Sequence, residues 1–453
     1  MTRRAGIVGM TLLFVLSLAF VNPYVRGDGN GYYAWLTSPL IDGDVHFGNQ
    51  YLHADPSFRT RFIDDRGQPT SDMRTVTGKV ENQWSVGPAI LWLPAFAIGH
   101  AAALAGLGTP DGYSPPYLWA VAVSTAVYGM VSILIGVDLA RRFGSGRWAG
   151  AAAVAILFAS SLPVYMYLLP FHVHALAAFA TGLFFWWGLV RLPSARPAVW
   201  ALWGLISGLM VAVYFIHAVF LIVVAWRLLE LPRWRAGVLA AAAFTAGLLP
   251  PAGIHLASRF ALYGSVTTTG YRDEFFWLSP RLVATALSPE HGLFLWTPVV
   301  ALALAGLVLL ARRDPRARLI LVAWAVLFYA IASYQNWHGQ SSFGNRFFVS
   351  LTAVLVPGAA AALGWIAHRG RPLAWALVVV LALWNAGFVF QWGLNLVPNR
   401  GPVDFAVVAR NQVTVVPARL TAVVRRYFLD RGGFTRDVEA DDVEERRDYR
   451  LRR

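Results

Sequence analysis

Residues 117–140 read YLWAVAVSTAVYGMVSILIGVDLA, and the next two residues are Arg141 and Arg142. An α-helix of about 20 apolar residues crosses the hydrocarbon core of a bilayer, so this stretch is long enough to span a membrane. Its one charged residue, Asp138, lies beside the arginines. Similar apolar runs recur along the chain, and they predict an all-α polytopic membrane protein.

Composition supports this class and excludes others. The chain has 453 residues, of which 57% are hydrophobic and only 14% are charged, whereas soluble domains carry about a quarter charged residues. There is no cysteine, which excludes disulfides and thiolate metal sites. The net charge of +14 comes from arginines in short segments between apolar runs. That placement is typical of membrane orientation, so we predict no nucleic-acid partner.

The arginines predict the orientation. Arg3 and Arg4 precede the first apolar run, 5–25, which lacks a small-residue cleavage site and is expected to stay as a signal anchor. The other basic segments are 141–147, 191–196, 227–235, 312–318 and 369–371. The positive-inside rule places all of them on the cytoplasmic side.

The segments between the arginines then pair up as membrane crossings. The predicted spans are 5–25, 117–140, 148–166, 172–190, 198–214, 216–231, 236–258, 291–311, 319–334, 347–367 and 373–392. This gives about 11 transmembrane helices, with the N-terminus inside and the C-terminus outside.

One further apolar stretch, 86–107, does not fit this count. It contains Gly87, Pro88, Pro94 and Gly99, and counting it as a crossing would place every later arginine segment outside. We expect it to lie in or dip into the outer leaflet, as interfacial helices do. The alternative, an ordinary span, would invert the topology that follows it.

Three regions result from this topology. Residues 1–392 form the transmembrane domain, and 27–116 form one large first external loop within it. Residues 393–453 form an external tail, in which 403–430 suggest a small folded element. The charged run 438–447 has low hydrophobicity, so the end of the tail is predicted to be disordered.

Asp28 is the candidate catalytic residue. It lies in the stretch GDGNGYY at 27–33, just after the first span. A carboxylate in glycine-rich backbone at a membrane surface has little packing value, but it suits a general base that takes a proton from a hydroxyl. The candidate substrate-binding residues on the same side are Tyr32, Tyr33, Asp44, His172, His174, Arg272, Glu290, His291, Asn336, Trp337, His338 and Arg346.

The chemistry of these residues indicates a phosphorylated lipid. Arg346, His338 and Arg272 are suited to hold a phosphate or pyrophosphate, and arginine does so with a planar fork. Gly339 would let backbone amides approach the phosphate oxygens, and Trp337 would stack on a sugar or a prenyl chain. A carboxylate base beside such a clamp favours transfer from a lipid phosphate, whose developing charge an arginine stabilises.

In these motifs the chain resembles the GT-C superfamily of integral-membrane glycosyltransferases, in the branch of protein O-mannosyltransferases and aminoarabinose transferases. The resemblance rests on the acidic stretch 27–33 and on 32–44, 291–298 and 337–346, which are similar to a bacterial subgroup of that branch. It covers roughly residues 1–392. Many members carry Asp-Glu at the start of the first external loop, and this chain has Gly29 in place of the second acid.

The resemblance implies a GT-C-like fold and a polyprenyl-phosphate sugar donor. It also implies an acceptor hydroxyl on a glycan, lipid or protein at the outer face, inversion at the anomeric carbon, and an acidic base at Asp28. No cofactor is expected; a divalent metal is not favoured, although the missing second acid leaves it open. The absence of cysteine and the many arginines fit a protein of a bacterial inner (plasma) membrane.

Simpler roles compete at individual positions. Asp28 could only cap a helix, and Asp44 could only form a turn. His172 and His174 lack a third ligand at convincing spacing for zinc. Arg346 could only anchor a span at the interface.

The whole-protein alternatives are a transporter or flippase, or a ligase, of lipid-linked sugars. A transporter is expected to carry polar groups near mid-membrane in broken helices. The predicted spans are nearly free of such groups, which favours the enzyme.

Overall fold

The computed structural model describes residues 3–64, 66–194 and 196–451. In this part of the chain the α-helices are α1 (Arg3–Ser17), α2 (Asp28–Thr37), α3 (Gly48–Leu52), α4 (Pro56–Phe62), α5 (Gly87–Ala102), α6 (Pro115–Arg142), α7 (Ala149–Phe158), α8 (His174–Val190), α9 (Pro197–Val213), α10 (Leu221–Leu229), α11 (Trp234–Tyr263), α12 (Leu282–Leu287), α13 (Leu293–Trp296), α14 (Val299–Ala311), α15 (Pro315–Ser333), α16 (Thr352–Ala367), α17 (Arg371–Gly393), α18 (Phe405–Val413), α19 (Val415–Leu429) and α20 (Arg431–Leu451). Short 3₁₀ or π segments are Leu18–Phe20, Ser38–Asp42, Ser71–Met73, Ala103–Leu107, Gly146–Trp148, Val164–Leu168, Phe215–Phe220 and Arg346–Leu351. The described residues form no β-strand beyond three isolated bridges, which confirms the all-α prediction.

The apolar helices have the length and composition of a multi-pass membrane protein. Six are long and apolar enough to cross a bilayer: Gly87–Leu107, Pro115–Arg142, Trp234–Tyr263, Pro315–Ser333, Arg346–Ala367 and Arg371–Gly393. Shorter apolar helices of 10–17 residues lie before and between them in the sequence. Each of the eleven predicted spans contains a helix.

The arginine segments gather at one end of this helical bundle. Arg316 donates a hydrogen bond of 3.2 Å to the carbonyl oxygen of Arg142. Asp138 pairs with Arg142 and accepts a hydrogen bond of 2.8 Å from the Trp186 indole. Arg191 in turn lies 5.7 Å from the ring centre of Trp186. The segments 141–147, 191–196 and 312–318 therefore lie together.

The two remaining arginine segments join the same end. Arg227 donates a hydrogen bond of 3.0 Å to the carbonyl oxygen of Gly188, near the end of α8. Trp148 and Trp375 lie with ring centres 5.9 Å apart, which brings the start of α17 to the start of α7. We call this end of the bundle the basic end.

The candidate residues lie at the opposite end, called here the site end. His174 begins α8, Tyr214 follows α9, Tyr334 follows α15, and Arg346 begins the 3₁₀ turn before α16. The other ends of these four helices carry arginine segments. A 17-residue helix such as α9 is about 25 Å long, so the site end and the basic end are separated by most of a hydrocarbon core.

Helix α5 runs along α6 in the antiparallel direction. Tyr128 donates a hydrogen bond of 2.8 Å to the carbonyl oxygen of Leu91, and the Tyr117 hydroxyl lies 2.5 Å from Nδ1 of His100. Helix α5 begins beside the end of α9, where the Ser85 hydroxyl donates a hydrogen bond of 2.7 Å to the carbonyl oxygen of Val213, and it ends beside the first turn of α6. Its length and apolar composition would allow it to cross a bilayer, so the expectation that 86–107 lies in the outer leaflet stays a prediction.

Glycines allow the closest helix contacts. A Cβ on Gly247 of α11 would lie 1.8 Å from the carbonyl oxygen of Ala201 in α9. A Cβ on Gly306 of α14 would lie 1.7 Å from the carbonyl oxygen of Gly358 in α16. Such small residues let helix backbones approach each other, as is common in membrane bundles.

The region between α1 and α5 is a small unit packed on the site end. Tyr51 lies 4.8 Å from the ring of Phe62, and Phe58 lies 5.2 Å from the ring of Trp84. Lys79 joins this unit to the bundle with a hydrogen bond of 2.9 Å to the carbonyl oxygen of Ala261, near the end of α11.

The C-terminal helices fold back onto the site end. Glu439 of α20 pairs with Arg26 at 3.2 Å, and Asp442 pairs with Arg400 at 3.1 Å. Arg431 donates a hydrogen bond of 2.7 Å to the carbonyl oxygen of Val21. The prediction of disorder in the charged run 438–447 is wrong for its described residues, because their acids find arginine partners far away in the sequence.

Candidate active site

Asp28 and Arg346 form an ion pair at the centre of the site end. Nη1 of Arg346 donates to Oδ2 of Asp28 at 2.6 Å. The Asp28 side chain is 30% exposed and that of Arg346 16%. The structure thus brings together the two residues on which the sequence prediction depends.

The surrounding charges keep Asp28 ionised. Burial has the largest single effect and raises its pKa, but the combined effect of its neighbours, led by the Arg346 guanidinium and including Arg61, lowers it by more. The net result is a pKa below the ordinary value of 3.8. At neutral pH Asp28 is therefore a carboxylate, which is the form required of a base.

Asp55 fixes the backbone around Asp28. Its Oδ1 accepts hydrogen bonds from the Gly27 backbone at 2.8 Å and from the Asn30 amide at 2.6 Å. Its Oδ2 accepts one of 3.1 Å from the backbone of Phe58, which caps α4. Gly27 has a φ of 52°, a conformation that glycine adopts readily. One carboxylate therefore ties the first turn of α2 to α4 and sets the position of Asp28.

Phe171 packs against Gly29, the position at which the Asp-Glu pattern has its second acid. A Cβ on Gly29 would lie 2.8 Å from Cβ of Phe171 and 3.4 Å from its carbonyl oxygen. No side chain fits there without a shift of the backbone. A second acid at position 29, as in the Asp-Glu pattern, would therefore clash with Phe171.

Two cavities meet at the ion pair. The first, called here the polar cavity, has a volume of about 210 Å³ and lies between α2, α4 and the C-terminal helices. The second, called the aromatic cavity, has a volume of about 150 Å³. Asp28, Arg61, Trp84, Gln340 and Arg346 line both.

Tyrosines dominate the aromatic cavity. Its lining includes Tyr32, Tyr214, Tyr271, Tyr334 and Phe347. Burial raises the pKa of Tyr32 and of Tyr271 far above 10. Their phenols therefore stay neutral and remain hydrogen-bond donors at neutral pH.

Several predicted residues line the cavities. His172 lies in the polar cavity beside Gly27, and burial lowers its pKa to about 4, so its imidazole is neutral at pH 7. His174 and Asn336 line the aromatic cavity, and Asn336 also donates a hydrogen bond of 2.8 Å to Asp273. Arg272 borders the same cavity, but its guanidinium binds Glu81 at 3.3 Å and its side chain is 68% exposed.

Six other predicted residues do not line either cavity. Tyr33 is buried, and its hydroxyl donates to the carbonyl oxygen of Gly112 at 2.5 Å. Asp44 accepts hydrogen bonds from Ser38 at 2.7 Å and from the backbone of His46 at 3.0 Å, so it stabilises a turn. These contacts correct the expectation that Tyr33 and Asp44 touch substrate.

The other four residues lie in or against the loop 336–346 and do not line the cavities. Nδ1 of His291 lies 2.7 Å from the carbonyl oxygen of His338, and Glu290 lies 3.6 Å from the His338 ring. Trp337 is buried against His338. His338, Glu290, His291 and Trp337 therefore brace the loop that carries Arg346, and the structure does not place them at the phosphate position expected from the sequence.

Sequence reasoning missed three residues of the junction. Arg61, Trp84 and Gln340 line both cavities. Arg61 follows Arg59 in a short polar helix, and that local pattern does not distinguish a site residue from a surface residue. Gln340 has a positive φ of 58°, which is uncommon outside glycine, but this signal is visible only in the structure.

Comparison with known proteins gives distant structural similarity only. No protein family and no curated protein sequence matches the chain. The crystal structure of ArnT from Cupriavidus metallidurans bound to undecaprenyl phosphate is similar over 97% of this chain and 74% of that chain, with a TM-score of 0.49 and 14% identity. The archaeal oligosaccharyltransferase AglB from Archaeoglobus fulgidus, in complex with an inhibitory peptide and a dolichol-phosphate, is similar over 97% of this chain and 56% of that chain, with a TM-score of 0.41 and 13% identity. Similarity of this degree is too low to assign a family, an activity or a substrate.

Proposed function

We propose that this chain is a membrane glycosyltransferase that moves a sugar from a polyprenyl-phosphate donor to an acceptor hydroxyl. The observation that carries the proposal is the Asp28–Arg346 pair of 2.6 Å at the junction of the two cavities. A base and a phosphate-binding cation at one junction meet the two needs of a displacement at a sugar carbon. One group removes the proton of the incoming hydroxyl, and the other stabilises the departing phosphate.

Two arginines would hold the phosphate. Arg346 donates to Asp28. Within the described ranges Arg61 makes a long hydrogen bond of 3.4 Å to Gln83 and a cation–π contact of 5.1 Å with Phe62, but no ion pair. Both line the junction. Arginine presents a planar fork of donors to phosphate oxygens. We propose this pair in place of the clamp of Arg346, His338 and Arg272 expected from the sequence. The two guanidinium groups would stabilise the phosphate charge without a divalent metal.

The lipid chain of the donor would reach the site past the aromatic cavity. Phe275 and Tyr334 line this cavity and form a backbone bridge beside it. The segment that follows Phe275 is largely apolar, and its most exposed large apolar side chains are Trp277, Leu278, Val283 and Leu287. An exposed apolar surface of this kind is suited to contact a lipid chain.

The reaction is a single displacement. The acceptor oxygen attacks the anomeric carbon while its proton moves to the Asp28 carboxylate. The bond from that carbon to the phosphate oxygen breaks, and the polyprenyl phosphate leaves with the electron pair. Arg346 and Arg61 stabilise the negative charge on the phosphate. Attack opposite to the leaving group inverts the anomeric configuration.

Donor binding would also activate the base. Arg346 lowers the pKa of Asp28, and a phosphate that draws the guanidinium towards itself weakens that effect. The pKa of Asp28 then rises, which makes the carboxylate a stronger base at the moment when the acceptor arrives.

The orientation follows from the two ends of the bundle. The positive-inside rule makes the basic end cytoplasmic, and the site end then faces the exterior. We propose a bacterial plasma membrane, with the reaction at its outer face and the acceptor on the cell envelope.

A transporter or flippase is less well supported. Both cavities are lined by residues of the site end, which favours chemistry at one face over passage to the other. The experiment that separates the two uses purified protein in detergent, where a flippase has no membrane to cross. A transferase releases polyprenyl phosphate from a polyprenyl-phosphate sugar and forms a new glycoside there. If mass spectrometry finds no such product with any donor from the native cell envelope, the proposed function is wrong.

A further inference from the structure

Three asparagines line the polar cavity with an amide atom that has no partner. These atoms are Oδ1 of Asn22, Oδ1 of Asn399 and Nδ2 of Asn395, and no described residue hydrogen-bonds to them. The Asn22 and Asn399 residues are only 5% and 7% exposed. Leaving a buried polar group without a hydrogen bond is unfavourable, so these amides are placed for a ligand.

The same cavity carries flat apolar surfaces. Phe58, Trp84, Trp392 and Phe434 line it together with the asparagines. A sugar ring presents hydroxyls at its edge and C–H groups on its faces, so it needs amide partners and aromatic surfaces at once. A lipid chain offers no hydrogen-bond partner for these amides.

Helix α20 forms the outer wall of this cavity. The Arg26–Glu439 pair at 3.2 Å and the bonds of Arg400 to Asp442 at 3.1 Å and to Glu445 at 3.3 Å attach it to the rest of the site end. The charged residues of α20 put this side of the molecule in an aqueous environment. The exposed apolar segment after Phe275 lies instead next to the aromatic cavity.

We infer that the polar cavity is the acceptor subsite and that the acceptor is a carbohydrate, held by Asn22, Asn395 and Asn399 with one hydroxyl directed at Asp28. The inference rests on the proposed function and adds the substrate class that the sequence left open. It makes α20, which the sequence placed in a disordered tail, part of the substrate site. The donor then occupies the aromatic side of the Asp28–Arg346 pair.

Single-cysteine labelling tests the inference, because the native chain has no cysteine. Ser341→Cys reports on the polar cavity and Ile216→Cys on the aromatic cavity; both residues are partly exposed in the cavity linings. The full-length protein is labelled with a small water-soluble thiol reagent. The probes are undecaprenyl phosphate and the methyl glycosides of glucose, galactose, mannose and N-acetylglucosamine.

We expect at least one methyl glycoside to slow the labelling of Ser341→Cys and to leave Ile216→Cys unchanged. At ten times its Kd a ligand slows labelling about tenfold, since only free protein reacts. Undecaprenyl phosphate should slow the labelling of Ile216→Cys. Adding Asn399→Leu or Asn395→Ala should abolish protection by the glycoside, while protection of Ile216→Cys by the lipid phosphate shows that each variant is folded.

The outcomes separate the two claims. If no glycoside protects Ser341→Cys, or if the glycosides protect both cysteines equally, the carbohydrate acceptor subsite is overturned. Lipid phosphate that protects Ile216→Cys in that case leaves the proposed function standing. If undecaprenyl phosphate protects neither cysteine, the proposed function itself fails.

Discussion

Arg346 donates a 2.6 Å hydrogen bond to Asp28 across 318 positions of the chain, and this pair separates the polar cavity from the aromatic cavity. Each residue gives the other a counter-charge at a largely enclosed position. The pair therefore couples donor binding to the pKa of Asp28.

Replacement of Arg346 should reduce transfer more than replacement of Arg272. Arg346→Ala removes a donor that stabilises the leaving phosphate, and loss of one such group typically lowers the rate by about 10²–10³-fold. Arg272→Ala removes a side chain that is 68% exposed and bound to Glu81, so the rate should change by less than about threefold. Steady-state rates of polyprenyl phosphate release measure both. Equal losses in the two variants would contradict the assignment of Arg346 to the phosphate.

The pH profile of kcat/KM should depend on Arg346. The pKa of Asp28 is lowered below 3.8 in the folded protein, so Asp28 should cause no loss of activity as the pH falls from 7 until it approaches that value. Arg346→Ala leaves the opposing effect of burial in place and should move the acidic limb to higher pH. Arg61→Ala, the matched control, should move it less, because the effect of Arg61 on the pKa of Asp28 is smaller. An acidic limb that is identical in wild type and Arg346→Ala would exclude Asp28 as the titrating base.

The same pair should contribute to stability with a defined sign. The folded-state pKa of Asp28 is below its unfolded value of about 3.8. Its contribution is therefore present above pH 3.8 and is lost as the pH falls through the folded-state pKa. In the Arg346→Ala variant this part of the acid dependence should disappear from thermal unfolding curves.

Gly29→Asp should destabilise the protein and should not create a metal site. Any Cβ at this position meets Phe171 at 2.8 Å, and overpacking of this kind costs about 1–3 kcal/mol. Gly29→Ala should show most of the loss, because the clash begins at Cβ. Gly253→Ala is the control, since a Cβ there meets nothing within 4 Å. A Gly29→Asp variant as stable as wild type in thermal unfolding would show that the backbone shifts to accommodate the side chain.

Asp55→Asn should lower kcat through the position of Asp28. The substitution keeps the shape of the side chain but weakens the hydrogen bonds from the Gly27 backbone at 2.8 Å and from Asn30 at 2.6 Å. We expect a decrease of about tenfold, since a small misplacement of a catalytic group has a large effect on rate. Asp44→Asn changes a carboxylate in a turn remote from the cavity linings and should leave kcat unchanged. Similar effects of the two variants would mean that Asp55 has no special role in positioning.

The helices and the two ends of the bundle could be predicted from the sequence because both depend on local patterns. Apolar runs such as 117–140 are read directly, and the arginine segments mark which helix ends lie together. That reasoning placed Asp28 and Arg346 at the same end although they are distant in sequence. It could not predict that they touch, because contact depends on how α2 packs against the turn before α16.

Side-chain direction within loops could not be predicted. Trp337 and His338 lie in the same polar loop as Arg346, yet they pack behind it, and Tyr33 turns away from the cavity that Tyr32 lines. A loop has no fixed period that assigns residues to a face.

The sequence does not predict helix α20, because low hydrophobicity is typical of disordered segments. One sequence pattern does favour a helix here: the spacing of Glu439, Asp442 and Arg446 places them on one helix face. Their partners Arg26, Arg400 and Ser57 belong to distant parts of the chain, so only the structure shows why the helix is stable.

The most direct test of the central claim measures transfer and carrier binding in the same Asp28→Asn preparation. The substitution removes the base but leaves the amide in the space of the carboxylate. It also frees Arg346 from its counter-charge. We expect formation of the new glycoside to be abolished, while undecaprenyl phosphate binds at least as tightly as it does to wild type. Wild-type turnover by Asp28→Asn, with the native donor and acceptor supplied, would show that Asp28 is not the base.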